Sequence, residues 1–480
     1  MSMDEKPSSL KQKADDAGHA QVYRNFAPSV ADVSSQSDQR DGVFGDQSQG
    51  TVKYTSVGWI WTAVLLVKTQ IGIGVLTIPS ALHTLGLVPG VLCILALATI
   101  TTWTDFYIGR FKVRHPGVYS LSDAGKLMLG PVGKWTFAIA TWFFMTFVAG
   151  SAMLSLSVAF NALSLHGLCT AGFVAISAVI MLVLAIMPRL QELKWLSWIG
   201  LVTILPAILL VTIAVAAGGR PSLAPQTGPL DLDVRLFASP TFAQAMGAVS
   251  NLVFSFAGTP IFLPIASEMK RPQDFGKAVI VCQSIITAMY LTIGIVVYHF
   301  AGQYVASPAL GTAGTLIKRI AYGLSLPGLT FTGVLYVHLS GKWIFLRVMR
   351  NSYHLNHPTP KFWIVWISCT TACCIFSYVI ASAIPVFSGL VGLVGALFGT
   401  FLSLNAEACM WLYDHYPRFR DRATRTWKVT LMVGWNVFIN VAGAFLIVAG
   451  TYGSCLSIRD EIAAGGSSPW SCADNSNSSS

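Results

Sequence analysis

Stretches of about twenty apolar residues recur along this chain with short polar segments between them, and nothing else in the sequence restricts the fold so much. A run of that length crosses the hydrocarbon core of a bilayer as one α-helix. Eleven such spans are expected, near 57–82, 87–109, 135–163, 168–188, 195–217, 241–267, 277–300, 326–348, 362–383, 386–411 and 427–450. The least distinct boundary is that between the ninth and tenth, where Ser382-Ala-Ile-Pro385 is the only turn signal. In lipid every backbone N–H and C=O must find its partner within the protein, which leaves helices as the form for runs this long. Charged residues make up 11% of the chain and hydrophobic ones 54%, where a soluble chain carries roughly a quarter charged. The expected class is an all-α polytopic membrane protein with the bilayer as its solvent.

The net charge of +10 invites a nucleic-acid reading, but the positions of the basic residues speak for membrane topology. Nineteen lysines and arginines flank the spans on one side, against five (Arg220, Arg235, Lys318, Arg319 and Arg459) on the other. Such a bias places the basic side in the cytoplasm. The N-terminus is then inside and the C-terminus, after an odd number of spans, outside, and no nucleic-acid partner is expected. Residues 1–54 are polar and aperiodic, and they read as a disordered cytoplasmic tail whose Lys6, Lys11 and Lys13 are open to modification. They hold no secretory signal, so the first span is expected to direct its own insertion. The transporter body is taken as 55–450 and the Ser-rich tail 451–480 as extracellular. That tail carries the glycosylation sequon Asn477-Ser-Ser and two cysteines, Cys455 and Cys472, able to pair with each other in an oxidising space. The cysteines inside apolar runs read as small core residues.

Two of the spans are not built as plain lipid-facing helices. The first contains Val67-Lys-Thr-Gln-Ile-Gly-Ile-Gly-Val-Leu-Thr-Ile-Pro79. Gly72 and Gly74 let the backbone leave helical geometry and let a ligand come close. A half-helix that restarts after a break offers free N–H groups and the positive end of its dipole. The sixth span contains Asn251-Leu-Val-Phe-Ser-Phe-Ala-Gly-Thr-Pro-Ile-Phe-Leu-Pro264, interrupted at Gly258, Thr259 and Pro260. Either break alone reads as well as a kink or a small-residue packing face. Together they lie five spans apart, so the two five-helix units that carry them must insert with opposite topology. Matched interruptions in two inverted halves mark the binding site of a secondary transporter.

Chemistry of other kinds is not signalled. No Gly-Lys pair is followed by Ser or Thr in a phosphate-binding pattern, and there is no His-Glu-x-x-His helix, nucleophile elbow or metal-ligand cluster. The expectation is a carrier that is not an enzyme, needs no cofactor and no metal, and runs on an ion gradient. His299 and His338 stand alone within spans and read as structural.

Gly72-Ile-Gly-Val-Leu-Thr-Ile-Pro79, with Ala81 and Gly86-Leu-Val-Pro-Gly90 after it, resembles the opening of the amino acid/auxin permease family. Phe254-Ser-Phe-Ala-Gly-Thr-Pro260, with Pro264 and Glu268-Met-Lys-Arg-Pro272, resembles that family's sixth-helix signature. The similarity runs over about residues 50–450. The long polar N-terminal segment and the Lys68-Thr-Gln70 lead-in are most similar to fungal neutral amino acid permeases of the methyltryptophan-resistance type. The resemblance implies a leucine-transporter-like 5+5 inverted repeat with one extra helix. It also implies a plasma-membrane location, proton symport, and neutral aliphatic or aromatic amino acids as cargo.

The residues at the breaks suit that cargo. Donors at Ile73, Gly74 and Val75 meet its carboxylate, while carbonyls near Thr69 and from Val253 to Phe256, with the Ser255 hydroxyl, take its ammonium. Gly72 and Gly258 open the backbone, and Phe254 and Phe256 offer aromatic walls. Lys68, a cation beside a midplane break, is expected to stand in for a coupling sodium ion, and Glu407, deep in the tenth span, to help relay protons. Asp105 and Glu268, toward the cytoplasmic ends of their spans, are expected to form gating pairs with basic residues. Two alternatives stay open from the sequence: an amino-acid sensor with little transport, and a carrier of the vacuolar membrane. No oligomeric state follows from it.

Overall fold

The computed structural model describes residues 57–187, 190–349, 352–353, 359–421, 425–463 and 468–476. The expected N-terminal tail and the sequon at Asn477 lie outside the described residues. The described chain is helical. In order come α1 (Trp59–Gln70), α2 (Ile78–Leu85), α3 (Leu87–Arg114), α4 (Leu121–Ser164), α5 (Thr170–Ala185), α6 (Leu190–Ala216) and α7 (Phe242–Phe256). Then follow α8 (Thr259–Ser267), α9 (Phe275–Ala301), α10 (Thr315–Val348), α11 (Pro360–Ala383), α12 (Phe387–Val394), α13 (Ala406–Arg420) and α14 (Trp427–Ala463).

Among the described residues nine helical segments are long and apolar enough to cross a membrane, and the pair α1 and α2, bent by 45°, makes a tenth. The element at the place of the fourth expected span, α5, is apolar but only 16 residues long. The turn after Ser382 is real: α11 stops at Ala383 and α12 starts at Phe387. Between α12 and α13 the chain continues as two wide π-turns, Gly395–Gly399 and Phe401–Asn405.

Both interrupted spans are interrupted where the glycines stand. Helix α1 ends at Gln70, and after Ile71 to Ile73 a 3-10 turn, Gly74–Thr77, leads into α2, whose second residue is Pro79. Proline is tolerated there because the first turn has no acceptor for its missing N–H. Helix α7 ends at Phe256, and α8 restarts at Thr259 with Pro260 in its first turn. The two broken spans pack on each other through α2 and α7, with α9 against α1, α2 and α3. A second group forms around α10, which packs on α4, α5, α6 and α11.

The segment between α6 and α7 lies over the end of the bundle expected to face outward. Leu87 N–H and Val88 N–H donate to the carbonyls of Arg235 and Leu236, and Gln303 N–H donates to Leu232 O. Gly86, which joins α2 to α3, has φ +89° and would put a Cβ 2.5 Å from Ala238 N, so only glycine allows this approach.

The C-terminal segment is arranged differently from the expectation. Helix α14 extends to Ala463, so Cys455 is helical and exposed, and it is a free thiol. Cys472 bonds instead to Cys169 at the start of α5. The tail is held to the same end by Thr170 Oγ1 donating to Ala473 O (2.6 Å) and by Asn161 Nδ2 donating to Asn475 Oδ1 (2.7 Å). The sequence offered the nearer cysteine as partner; the fold brings the tail back over α4 and α5.

Candidate functional site

The broken spans meet at a cavity of about 80 Å³. Lys68 to Gly74 form one side, and Phe254, Ser255, Ala257, Gly258 and Ile261 form the facing side. Helix α4 adds Phe144 and Val148, α6 adds Gly200, Leu201 and Ile204, and α10 adds Gly328, Phe331, Thr332, Leu335 and Tyr336. None of these lining residues is acidic.

At the first break the last carbonyls of α1, including those of Lys68 and Thr69, have lost their i+4 donors. The Thr69 hydroxyl turns back to Leu66 O at 2.7 Å. The first N–H groups of the 3-10 turn likewise have no acceptor within it. Gly74 is required by its neighbour: a Cβ there would stand 2.7 Å from Ser255 Cα. The close approach anticipated for a ligand is thus made by the other broken helix. Gly72 is the open position, where a Cβ would meet nothing nearer than Thr332 Oγ1 at 4.0 Å.

Hydrogen bonds lace the breaks together. Ser255 Oγ donates to Gly74 O and Asn251 O, both at 2.9 Å. Tyr290 of α9 is fully buried, and its hydroxyl is shared between Gln70 O at 3.0 Å and Ser255 O at 2.8 Å. The N–H groups of Ala257 and Gly258 donate to Phe254 O and Phe256 O. Several carbonyls expected to await the cargo's ammonium are therefore already occupied.

Of the residues expected to bind substrate, Thr69, Gly72, Ile73, Gly74, Phe254, Ser255 and Gly258 line the cavity, and Val75, Val253 and Phe256 do not. For Phe256 the helical period explains it: two residues after Phe254, a side chain points to the opposite face. Phe254 looks into the cavity beside Phe144 (ring centroids 6.5 Å apart), whereas Phe256 packs edge-on against Tyr290 at 5.2 Å. Val75 is wholly buried in the core. The sequence reading missed Tyr290, the α4, α6 and α10 contributions, and the side chain of Gln70. That amide is 4% exposed, borders the cavity, and leaves both polar atoms without a partner.

Lys68 is half-buried on the cavity wall and forms no ion pair with a carboxylate among the described residues. Asp105 is not the gating ion pair expected of it. It is 1% exposed and is held by neutral donors, Thr259 Oγ1 at 3.0 Å and Gln283 Nε2 at 2.7 Å. The tie between α3 and α13 is made nearer the helix ends, where Asp414 pairs with Arg114 (3.0 Å) and is hydrogen-bonded to His115 (2.7 Å). Tyr107 also donates to Asp414 at 2.6 Å. Glu268 lies close enough to Lys342 for their charges to attract. Glu407 is buried beside Asp105.

Two helices broken at facing positions, with a small cavity between the breaks and an eleventh helical element beyond two five-element halves, define the leucine-transporter-like fold. A sodium-coupled sialic acid symporter in a substrate-bound outward-open state shares this fold, with a TM-score of 0.50 at 14% identity, covering 84% of this chain and 90% of that one. The family model for transmembrane amino acid transporter proteins matches residues 55–456, and the chain belongs to that family. A "Transmembrane transporter" of Gibberella moniliformis is 32% identical over 470 residues, 98% of each chain. The "N amino acid transport system protein" of Neurospora crassa is 30% identical over 440 residues, 89% of this chain and 91% of that one. The protein is an amino acid transporter.

Proposed function

We propose that this chain is a proton symporter that imports neutral aliphatic and aromatic amino acids across the plasma membrane. The observation that carries the choice of cargo is the make-up of the cavity. Backbone and small polar groups at Thr69 to Gly74, Ser255 and Gly258 face the cargo's charged ends. Phe144, Phe254, Ile204, Phe331 and Leu335 face its side chain, and no lining residue is acidic. An apolar wall rewards an apolar side chain and leaves a cationic one without a counter-charge.

Lys68 takes the place of a coupling sodium ion at the first break, and Glu407 takes part in proton movement. Both are fixed or switchable charges in the environment where charge is most expensive. Glu268 with Lys342 serves as a gate toward the cytoplasmic end, and Asn477 is the glycosylation acceptor. The test is uptake of radiolabelled leucine by the purified chain in proteoliposomes. Accumulation is expected to follow an inward pH gradient without sodium, to be competed by alanine and phenylalanine, and to resist competition by lysine. Lys68→Ala is expected to lower gradient-driven accumulation at least tenfold. A sodium requirement, or effective competition by lysine, sinks this reading.

A further inference from the structure

Beyond the second break, away from the lining residues, two acids share a buried site and pair with no cation among the described residues. Asp105 of α3 and Glu407 in the first turn of α13 are each 1% exposed. Asp105 is equipped as an acceptor: Oδ1 receives the Thr259 hydroxyl and Oδ2 the Gln283 amide. Glu407 lies within hydrogen-bonding reach of Asp105, Thr104 and Thr259, yet the Thr104 and Thr259 hydroxyls donate elsewhere, to Ser403 O and Asp105 Oδ1, and no well-aligned donor meets either Glu407 oxygen. The groups that act on the pair are few. Thr259 comes from α8 and Gln283 from α9, the Cys282 thiol lies near Asp105, and neither acid forms an ion pair with a lysine, arginine or histidine among the described residues.

Two carboxylates side by side without a counter-charge do not both ionise, because burial and like charge penalise the second anion together. A carboxylate without a donor is also a costly thing to bury. One proton answers both difficulties. Placed on Glu407, it makes that group a donor to Asp105, whose oxygens keep lone pairs beyond those used by Thr259 and Gln283.

We propose that Asp105 and Glu407 together form the proton-binding site of the transport cycle, and that Thr259 passes its state to the substrate break. This rests on the symport reading above. One proton enters from outside water onto the Glu407 carboxyl and leaves to the cytoplasm, and no bond to the cargo is made or broken. Its departure raises the charge of the pair from −1 to −2 and drives the acids apart. Asp105 holds the first residue of α8, and the residue before it, Gly258, lines the cavity. Proton loss therefore loosens one wall of the site, which is the event that should release cargo.

The experiment uses the full chain in proteoliposomes with radiolabelled leucine. Glu407→Gln keeps the size and removes the titratable proton, while Glu407→Asp keeps the acid and shortens it. Gradient-driven accumulation is expected to fall at least tenfold in the Gln variant and to recover to at least a third of the parent in the Asp variant. Leucine exchange at symmetric pH is expected to slow in the parent as pH rises and to lose that dependence in the Gln variant. If the site were merely packed, the order of the two variants would be reversed, and that result overturns the proposal. So does a Gln variant that accumulates leucine within twofold of the parent. Infrared difference spectra of the parent across a pH step supply a check that needs no variant. One buried carboxyl band should disappear as pH rises, and its absence counts against the site. A parent that accumulates leucine with no help from a pH gradient instead removes the symport reading itself.

Discussion

At the scale of single residues the site is set by how closely two backbones pass. Gly74 gives up its side chain because Ser255 Cα would lie 2.7 Å from a Cβ there. Gly74→Ala forces the broken spans apart, at a cost of about 1–3 kcal/mol for overpacking, and is expected to cut uptake at least tenfold. Gly72→Ala adds a methyl where the nearest atom is 4.0 Å away, so the protein should reach the surface normally while leucine affinity changes by several-fold. Surface biotinylation with initial-rate uptake separates the two, and equal behaviour would show that the Gly74 contact does not govern the site. The sequence displayed these glycines plainly because no lipid-facing helix has a use for them. It hid Tyr290, since a tyrosine within an apolar run looks the same whether it faces lipid or bridges two carbonyls 3.0 and 2.8 Å away. It also misled at Phe256, where the aromatic type was read correctly and the direction of the side chain was not. A motif names residue types, but only the 100° step of the helix says which of them face the cavity. Asp105 failed for a related reason: its depth beside Thr259 depends on how α3 packs on α8, a contact 154 residues distant in the chain.

At the scale of elements, almost every apolar run became a helix where the sequence placed it, because hydrocarbon leaves the backbone little choice. The ends were harder to read. Helix α14 runs past the expected stop at 450 to Ala463, and the segment after it carries too few apolar residues to announce where it docks. Its attachment through Cys472 to Cys169 spans 303 residues. A cross-link of long separation typically contributes about 2–4 kcal/mol. Cys169→Ser and Cys472→Ser are expected to lower the thermal midpoint equally, with no further loss in the double variant, because both remove one bond. Additive losses would mean that the two cysteines act separately. Peptide mapping without reductant should recover residues 169 and 472 joined and Cys455 free to alkylate.

At the scale of the whole molecule, the charge bias and the tail agree on one orientation. The Cys169–Cys472 bond and the segment carrying Arg235 belong to ends expected to face outward, and Arg114, His115 and Asp414 gather at the ends expected to face the cytoplasm. An epitope after Ser480 should accept antibody on intact cells and one before Met1 should not; equal accessibility of both would mean a miscounted crossing. The perimeter that meets lipid is uneven at α5. At 1.5 Å per residue the 16 residues of α5 reach only ~24 Å, against a hydrocarbon thickness of ~30 Å. Val179 and Val183 on that helix are 60% and 62% exposed, so its outer face is open to acyl chains. A membrane adjusts to such a shortfall by dimpling, at a cost of fractions of a kcal/mol for each ångström. The surrounding leaflets are therefore pinched beside α5, and the carrier should work fastest in vesicles of shorter-chain phospholipid, slowing as the acyl chains lengthen; rates that ignore chain length would show that the membrane lies flat there.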